Sequence, residues 1–268
     1  MSEPVSAQMM EMIRTRLSDL AEEEGIRILL AVESGSRAWG FHSPDSDYDV
    51  RFIYVRPVDW HLELGKKRDV VERPIDDELD LSGWDLGKAL GLAIGSNAVI
   101  AEWLQSPVVY RADENAVADL TRFCRAALSR RHVSWHYLSL LQRQQERLVG
   151  PGGGVRLKRY FYVLRPALAL RWMRVNEAGM PPMNMAALVS GASLDDGEAS
   201  AIQDLIERKK HVSESGEEAA SNPLLDDVIE MEVRMAKDWL DTPDRPEAPD
   251  NLWGEANRLH RHYVKAFS

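Results

Sequence analysis

Two aspartates two positions apart, Asp47 and Asp49, follow a Gly-Ser loop at Gly35-Ser36 and open a largely apolar run, Val50 to Val55. In a strand, residues two apart leave the same face, so both carboxylates point one way. Side by side they repel unless a cation sits between them. The loop before them lacks a Cβ at Gly35, so backbone N–H groups there can approach an anion, and Ser36 adds a hydroxyl. Taken singly, Gly35-Ser36 is an ordinary turn and Asp45-Ser46-Asp47 an ordinary polar strand entry. Together they set a phosphate-sized loop beside a metal-sized acidic pair, at the mouth of what reads as a buried strand. A third carboxylate is sought in Asp76-Asp77-Glu78-Leu79-Asp80-Leu81-Ser82, where Asp80 lies between two leucines that point into a core. Asp80 is the preferred partner, with Glu78 and Asp85 as alternatives; Asp85 also reads as a residue at a helix start, favoured there by the helix dipole.

The elements that must position these groups follow from periodicity. Ser6 to Glu24 reads as a helix, with apolar residues at Met9, Met10, Ile13, Leu17 and Leu20. Strands are expected at Ile26 to Val32, Asp47 to Val55 and Leu79 to Leu81, with a short hairpin through Arg68 to Glu72. Helices are expected at Asp85 to Ile94 and Ala98 to Gln105. From Glu114 onward the pattern is helical: Ala116 to Leu128, Ser134 to Leu148, Val155 to Asn176, Leu194 to Lys210, Pro223 to Asp241 and Asn251 to Phe267. The expected fold class is α/β (α+β): a small mixed-sheet domain over residues 1–112, then an all-helical domain over 113–268. Gly150 to Gly154 reads as a hinge and not as a P-loop, because no Gly-Lys-Ser/Thr follows. Ser213 to Asn222 and Thr242 to Asp250 read as polar linkers.

Composition bounds the function classes. The 268 residues suffice for one large or two modest cores, and the single cysteine, Cys124, excludes an internal disulfide framework and a multi-cysteine zinc site. No run of about twenty apolar residues is present, and the N-terminus lacks a secretory pattern, so a soluble, cytoplasmic protein with no membrane partner is expected. The net charge of −10 is uneven: Arg122 to Arg174 holds twelve Lys and Arg against one acid, +11, which leaves −21 elsewhere. Aromatic residues interleave this basic block, which favours phosphate binding over a merely solvated face. Within it, Lys158, Tyr162 and Arg165 share a helix face beside Arg159, suited to a triphosphate tail or an RNA backbone. His132 and His136 lack the Glu of a zinc-protease motif, and no Ser-His-Asp set is visible.

A strand, a Gly-Ser loop, a short helical turn and a second strand opening with Asp-x-Asp resemble the nucleotidyltransferase superfamily that includes DNA polymerase beta. The longer string Glu33-Ser-Gly-Ser-Arg-Ala-Trp-Gly-Phe, Ser43-Pro-Asp-Ser-Asp-Tyr-Asp-Val-Arg-Phe-Ile-Tyr-Val, Leu79-Asp-Leu-Ser-Gly-Trp-Asp-Leu and Glu102-Trp-Leu-Gln-Ser-Pro is similar to bacterial nucleotidyltransferases associated with RNA repair. In looser form the likeness extends to Lys158-Arg-Tyr-Phe-Tyr and Arg165-Pro166. It implies transfer of a nucleoside monophosphate from a nucleoside triphosphate such as ATP to an acceptor hydroxyl, with RNA or tRNA as a candidate acceptor. It also implies Mg²⁺, with Mn²⁺ as a substitute: two ions bridged by Asp47 and Asp49, the nucleophile-side one completed by Asp80. Gly35 and Ser36 would hold the β- and γ-phosphates, with Arg37 as a second phosphate contact; Trp39 stands where the superfamily often has an arginine. The alternative is a non-catalytic nucleotide- or RNA-binding regulatory module, antitoxin-like, on the same fold.

Overall fold

The computed structural model describes residues 4–75, 78–149, 155–211, 218–219, 222–242 and 251–268. Asp76 and Asp77, the Gly150–Gly154 hinge and most of both expected linkers lie outside the described residues. The chain divides into two compact units, one of Met1–Ala38, Asp47–Leu128 and Ala248–Ser268, the other of Trp39–Ser46 and Ser129–Glu247.

The first unit is built on a five-stranded mixed sheet. Helix α1 (Ala7–Glu24), capped by Ser6, precedes β1 (Arg27–Glu33), a single turn α2 (Ser36–Trp39) and β2 (Tyr48–Val55). A short helix α3 (Val58–Leu62) that the periodicity did not signal leads to β3 (Val70–Glu72) and β4 (Leu79–Asp85). Helices α4 (Leu86–Ile94) and α5 (Ala98–Trp103), strand β5 (Val109–Ala112) and helix α6 (Glu114–Ala127) follow. The strand order is β3-β4-β2-β1-β5; β1 and β2 are antiparallel, whereas β2 and β4 run parallel. Strict alternation along β2 sends Tyr48, Val50, Phe52 and Tyr54 to one face, where Ile13, Leu17 and Leu20 of α1 cover them. Ile53 and Val55 go to the other, against α4, α5 and α6.

The division differs from an expected boundary near residue 112. Helix α6 buries Ala116, Leu120 and Phe123 against the sheet, and a C-terminal helix, α12 (Leu252–Ala266), adds Ala256, Leu259 and Tyr263 to the same core. The Tyr263 hydroxyl donates to Asp119 Oδ2 at 2.8 Å, fastening α12 to α6. A sheet with two apolar faces needs cover on both, and these two helices supply part of the second. Strand β4 also runs four residues beyond its expected end, because Gly83 lies within it: a Cβ there would overlap the Phe52 ring, so only glycine leaves room for that ring.

The second unit is helical: α7 (Arg130–Gln145), α8 (Leu157–Val175), α9 (Met185–Gly191), α10 (Asp196–His211) and α11 (Pro223–Leu240), with a two-stranded ribbon of β6 (Val155–Arg156) and β7 (Glu218–Ala219). The segment Trp39–Ser46 belongs to this unit: Phe41 stacks on Phe161 with centroids 4.3 Å apart, and Lys209 Nζ donates to Ser43 Oγ at 3.0 Å. Several cations of the basic block are engaged inside the unit. Arg174 pairs at 2.6 Å with Glu232, which is 1% exposed; Arg171 pairs at 3.0 Å with Glu198; Arg130 and Arg131 donate to the carbonyls of Met173 and Leu240. A charge excess counted along the chain is therefore met in space by acids from α10 and α11. Among the described residues no helix is long and apolar enough to cross a membrane.

Gly83→Ala is expected to lower stability by about 1 to 3 kcal/mol, the usual cost of overpacking. Urea unfolding measures it, and an unchanged midpoint would mean that the Phe52 ring is free to move aside.

Candidate active site

The site begins with a carboxylate placed where charge is expensive. Glu33 ends β1 and is 0% exposed. Its Oε1 accepts the Gly35 N–H at 3.3 Å and the Asp49 N–H at 2.9 Å, and its Oε2 accepts the Tyr110 hydroxyl at 2.6 Å. Such donors compensate for lost water and hold the carboxylate in one orientation. Burial and the neighbouring Glu33 push the Tyr110 phenol well above its ordinary range, so it stays a donor. The Ser34 N–H adds a bond to the Asp49 carbonyl at 2.9 Å, so the loop after β1 is fastened to the start of β2.

This fastening explains Gly35. A side chain there would overlap the Asp49 carboxylate, Oδ2 first, so the loop and the acid can be neighbours only with glycine in place. Ser36 opens α2, half-buried.

The three acids expected from sequence all lie in this unit. Asp47 is exposed, just before β2, and its carboxylate has no hydrogen-bond or ion-pair partner among the described residues. Asp49 and Asp80 are register partners across the parallel strands β2 and β4. Glu78 is exposed one residue before β4. Asp85 closes β4 at the opposite end and caps α4, accepting the Gly87 N–H at 2.8 Å, so its structural reading holds. Of the three candidates for a third carboxylate, Asp80 is the one set against Asp49.

Sequence reasoning missed Glu33, Tyr110 and Arg51. Arg51 lies two residues past Asp49 on the same strand face, and its Nη2 donates to Asp49 Oδ1 at 3.2 Å and to Asp80 Oδ2 at 2.7 Å. The signal was the spacing itself: a cation at the next same-face position is a ready countercharge. Even so, burial, opposed by Arg51 and aided by Glu33, Asp80 and Asp47, raises the Asp49 carboxyl from 3.8 to about 6. Oxygen donors alone suit Mg²⁺ or Mn²⁺. An exposed, unpartnered Asp47 beside an undercompensated Asp49 fits one such ion, whereas Asp80 is engaged by Arg51. No group of three or more His, Cys, Asp or Glu among the described residues is disposed to hold a metal.

Arg37 is a correction. It is 6% exposed, stacks on the Tyr48 ring at 3.8 Å, and donates to the carbonyls of Asp47 at 3.3 Å and Pro4 at 2.8 Å. A guanidinium so occupied braces the approach to β2 and is not presented to a phosphate. Lys158, Arg159, Tyr162 and Arg165 all lie on α8 of the helical unit. There Arg165 is 4% exposed, donates to the Met183 carbonyl at 3.3 Å and lies over the Trp39 ring, against which Tyr162 packs edge-on. Burial on this scale makes Arg165 part of the helical core. Lys158 is half-buried and Arg159 exposed, the latter donating to the Arg147 carbonyl.

The sequence profile of the RNA repair pathway DNA polymerase beta family matches residues 9–262. A relative from Bacillus subtilis (strain 168), the uncharacterized protein YcgL, is 38% identical over 225 residues, 84% of this chain and 85% of that protein. Among solved structures, a nucleotidyltransferase-like protein from Exiguobacterium sibiricum 255-15 aligns over 97% of this chain and 90% of that one, at 15% identity and a TM-score of 0.30.

The raised Asp49 carboxyl fixes a pH dependence. Between its ordinary 3.8 and about 6, the folded chain keeps a proton that the unfolded chain has released, so stability falls as pH rises through that window and then levels. Asp49→Asn is expected to remove this fall, gaining on the wild type above about pH 6 and little near pH 4. Thermal melts across that range test it; a separation independent of pH would contradict it.

Proposed function

The chain belongs to the RNA repair pathway DNA polymerase beta family, and on that premise we propose that it is a metal-dependent nucleotidyltransferase. It moves a nucleoside monophosphate from a nucleoside triphosphate to an acceptor hydroxyl. The acceptor oxygen attacks the α-phosphorus and its proton passes to solvent, the bond from that phosphorus to the bridging oxygen breaks, and pyrophosphate leaves with the pair of electrons. The observation that carries this reading is the Asp49–Asp80 register pair beside an exposed Asp47, with the Gly35-Ser36 loop pinned to the same aspartate through Glu33.

The residues divide the work by their capacities. Asp47 and Asp49 would hold a divalent ion, which when bound would offset the negative charge that grows on the α-phosphate and pyrophosphate oxygens. Gly35 and the Ser36 hydroxyl receive the β- and γ-phosphates. Lys158 and Arg159, on α8 of the helical unit, are the cations proposed to contact the acceptor. RNA, including a tRNA end, is the acceptor proposed here, on the strength of the RNA repair pathway family to which the chain belongs.

Incubation with each α-labelled nucleoside triphosphate, Mg²⁺ or Mn²⁺ and an RNA pool tests the proposal. The wild type should label RNA, and Asp47→Asn or Asp49→Asn should cut labelling below about one hundredth while the melt shows an intact fold. Binding of triphosphate without transfer to any acceptor would instead favour a regulatory module, a reading that the engagement of Asp80 by Arg51 also suits.

A further inference from the structure

Arg51 stands between the two carboxylates that a second divalent ion would have to share. Its Nη2 bridges Asp49 Oδ1 and Asp80 Oδ2, and its Nη1 donates to the carbonyls of Val50 at 3.1 Å and Asp80 at 3.0 Å. One side chain thus makes four hydrogen bonds, two to carboxylates and two to the backbone of β2 and β4. We propose that Arg51 is a built-in monocation that takes the place of the second metal ion, so that this centre works with one divalent ion, on Asp47 and Asp49. The inference rests on the metal-dependent reading given above.

Three features support it. A guanidinium does not lose its proton in a protein, so it cannot share a carboxylate oxygen with a metal as a neutral ligand; an ion taking Asp49 Oδ1 and Asp80 Oδ2 would have to drive it out. Leaving would cost charge-assisted bonds as well as two bonds to backbone carbonyls, and these clip the guanidinium in position independently of the acids. The charge points the same way: Arg51 already places a positive charge between Asp49 and Asp80, the one that a second ion would otherwise bring.

The atoms of Asp49 are divided accordingly. Its Oδ1 faces Arg51, while its Oδ2 is the atom closest to where a Gly35 side chain would lie. The oxygen left for an ion is therefore the one beside the phosphate loop. Asp80 then acts as a positioning residue: it holds Arg51, and Arg51 holds Asp49.

Counting bound Mn²⁺ by electron paramagnetic resonance, with a non-hydrolysable triphosphate present, tests the inference on the whole chain. The wild type should bind one ion. Arg51→Lys, which keeps the charge, should also bind one, and Arg51→Gln, which removes it, should bind two, each variant first shown to melt like the wild type. Two ions on the wild type, or one on a folded Arg51→Gln, would overturn the inference and leave the metal-dependent reading standing. No ion on the wild type would overturn both. The wild-type count decides the matter even if Arg51→Gln does not fold.

Discussion

The buried carboxylate of Glu33 is the interaction on which the rest of the site depends. An ionised carboxylate out of reach of water is costly unless donors surround it. Here the donors are the Tyr110 hydroxyl and the N–H groups of Gly35 and Asp49, drawn from β5, the loop after β1, and β2. Because each donor sits on a different element, satisfying one charge fixes the relative position of all three. The Gly35-Ser36 loop and Asp49 are thereby placed together before any ligand arrives, the preorganisation that the proposed catalysis would require.

The next layer is a balance of charge along one strand face. Tyr48, Val50, Phe52 and Tyr54 are buried under α1, so Asp49 and Arg51 necessarily emerge on the opposite face, where parallel pairing brings Asp80 alongside. Arg51 offsets only part of the acidic charge, and burial leaves the Asp49 carboxyl at about 6. The acidic charge around Asp49 is thus only partly compensated by Arg51. Strand pairing, loop anchoring and this residual charge are consequences of the same few residues.

Much of this was legible from sequence for a simple physical reason. Period-two alternation in β2 and helical spacing in α1 are local signals, and the Asp47-x-Asp49 spacing with Asp80 between two leucines needs only strand geometry. What sequence could not give depends on partners far along the chain. Arg37 read as a phosphate contact through the resemblance and Arg165 through its helix face shared with Lys158 and Tyr162, yet carbonyl and ring partners bury both. The basic block read as a binding face because its acids, Glu198 and Glu232, lie beyond it in sequence. The strand expected to end at Leu81 runs on to Asp85, and Gly83 within it makes room for Phe52. Helices α6 and α12 carry the same periodicity as the helices of the second unit, so nothing local told that their apolar stripes cover the sheet.

The most direct test of the central claim, that the carboxylates beside the Gly35 loop form a cation and triphosphate centre, is anomalous diffraction from crystals grown with Mn²⁺ and a non-hydrolysable nucleoside triphosphate. The account predicts an anomalous peak on the Asp47 and Asp49 carboxylates, with the β- and γ-phosphates against Gly35 and Ser36. A triphosphate bound elsewhere in the chain, or manganese that avoids both aspartates, would contradict it.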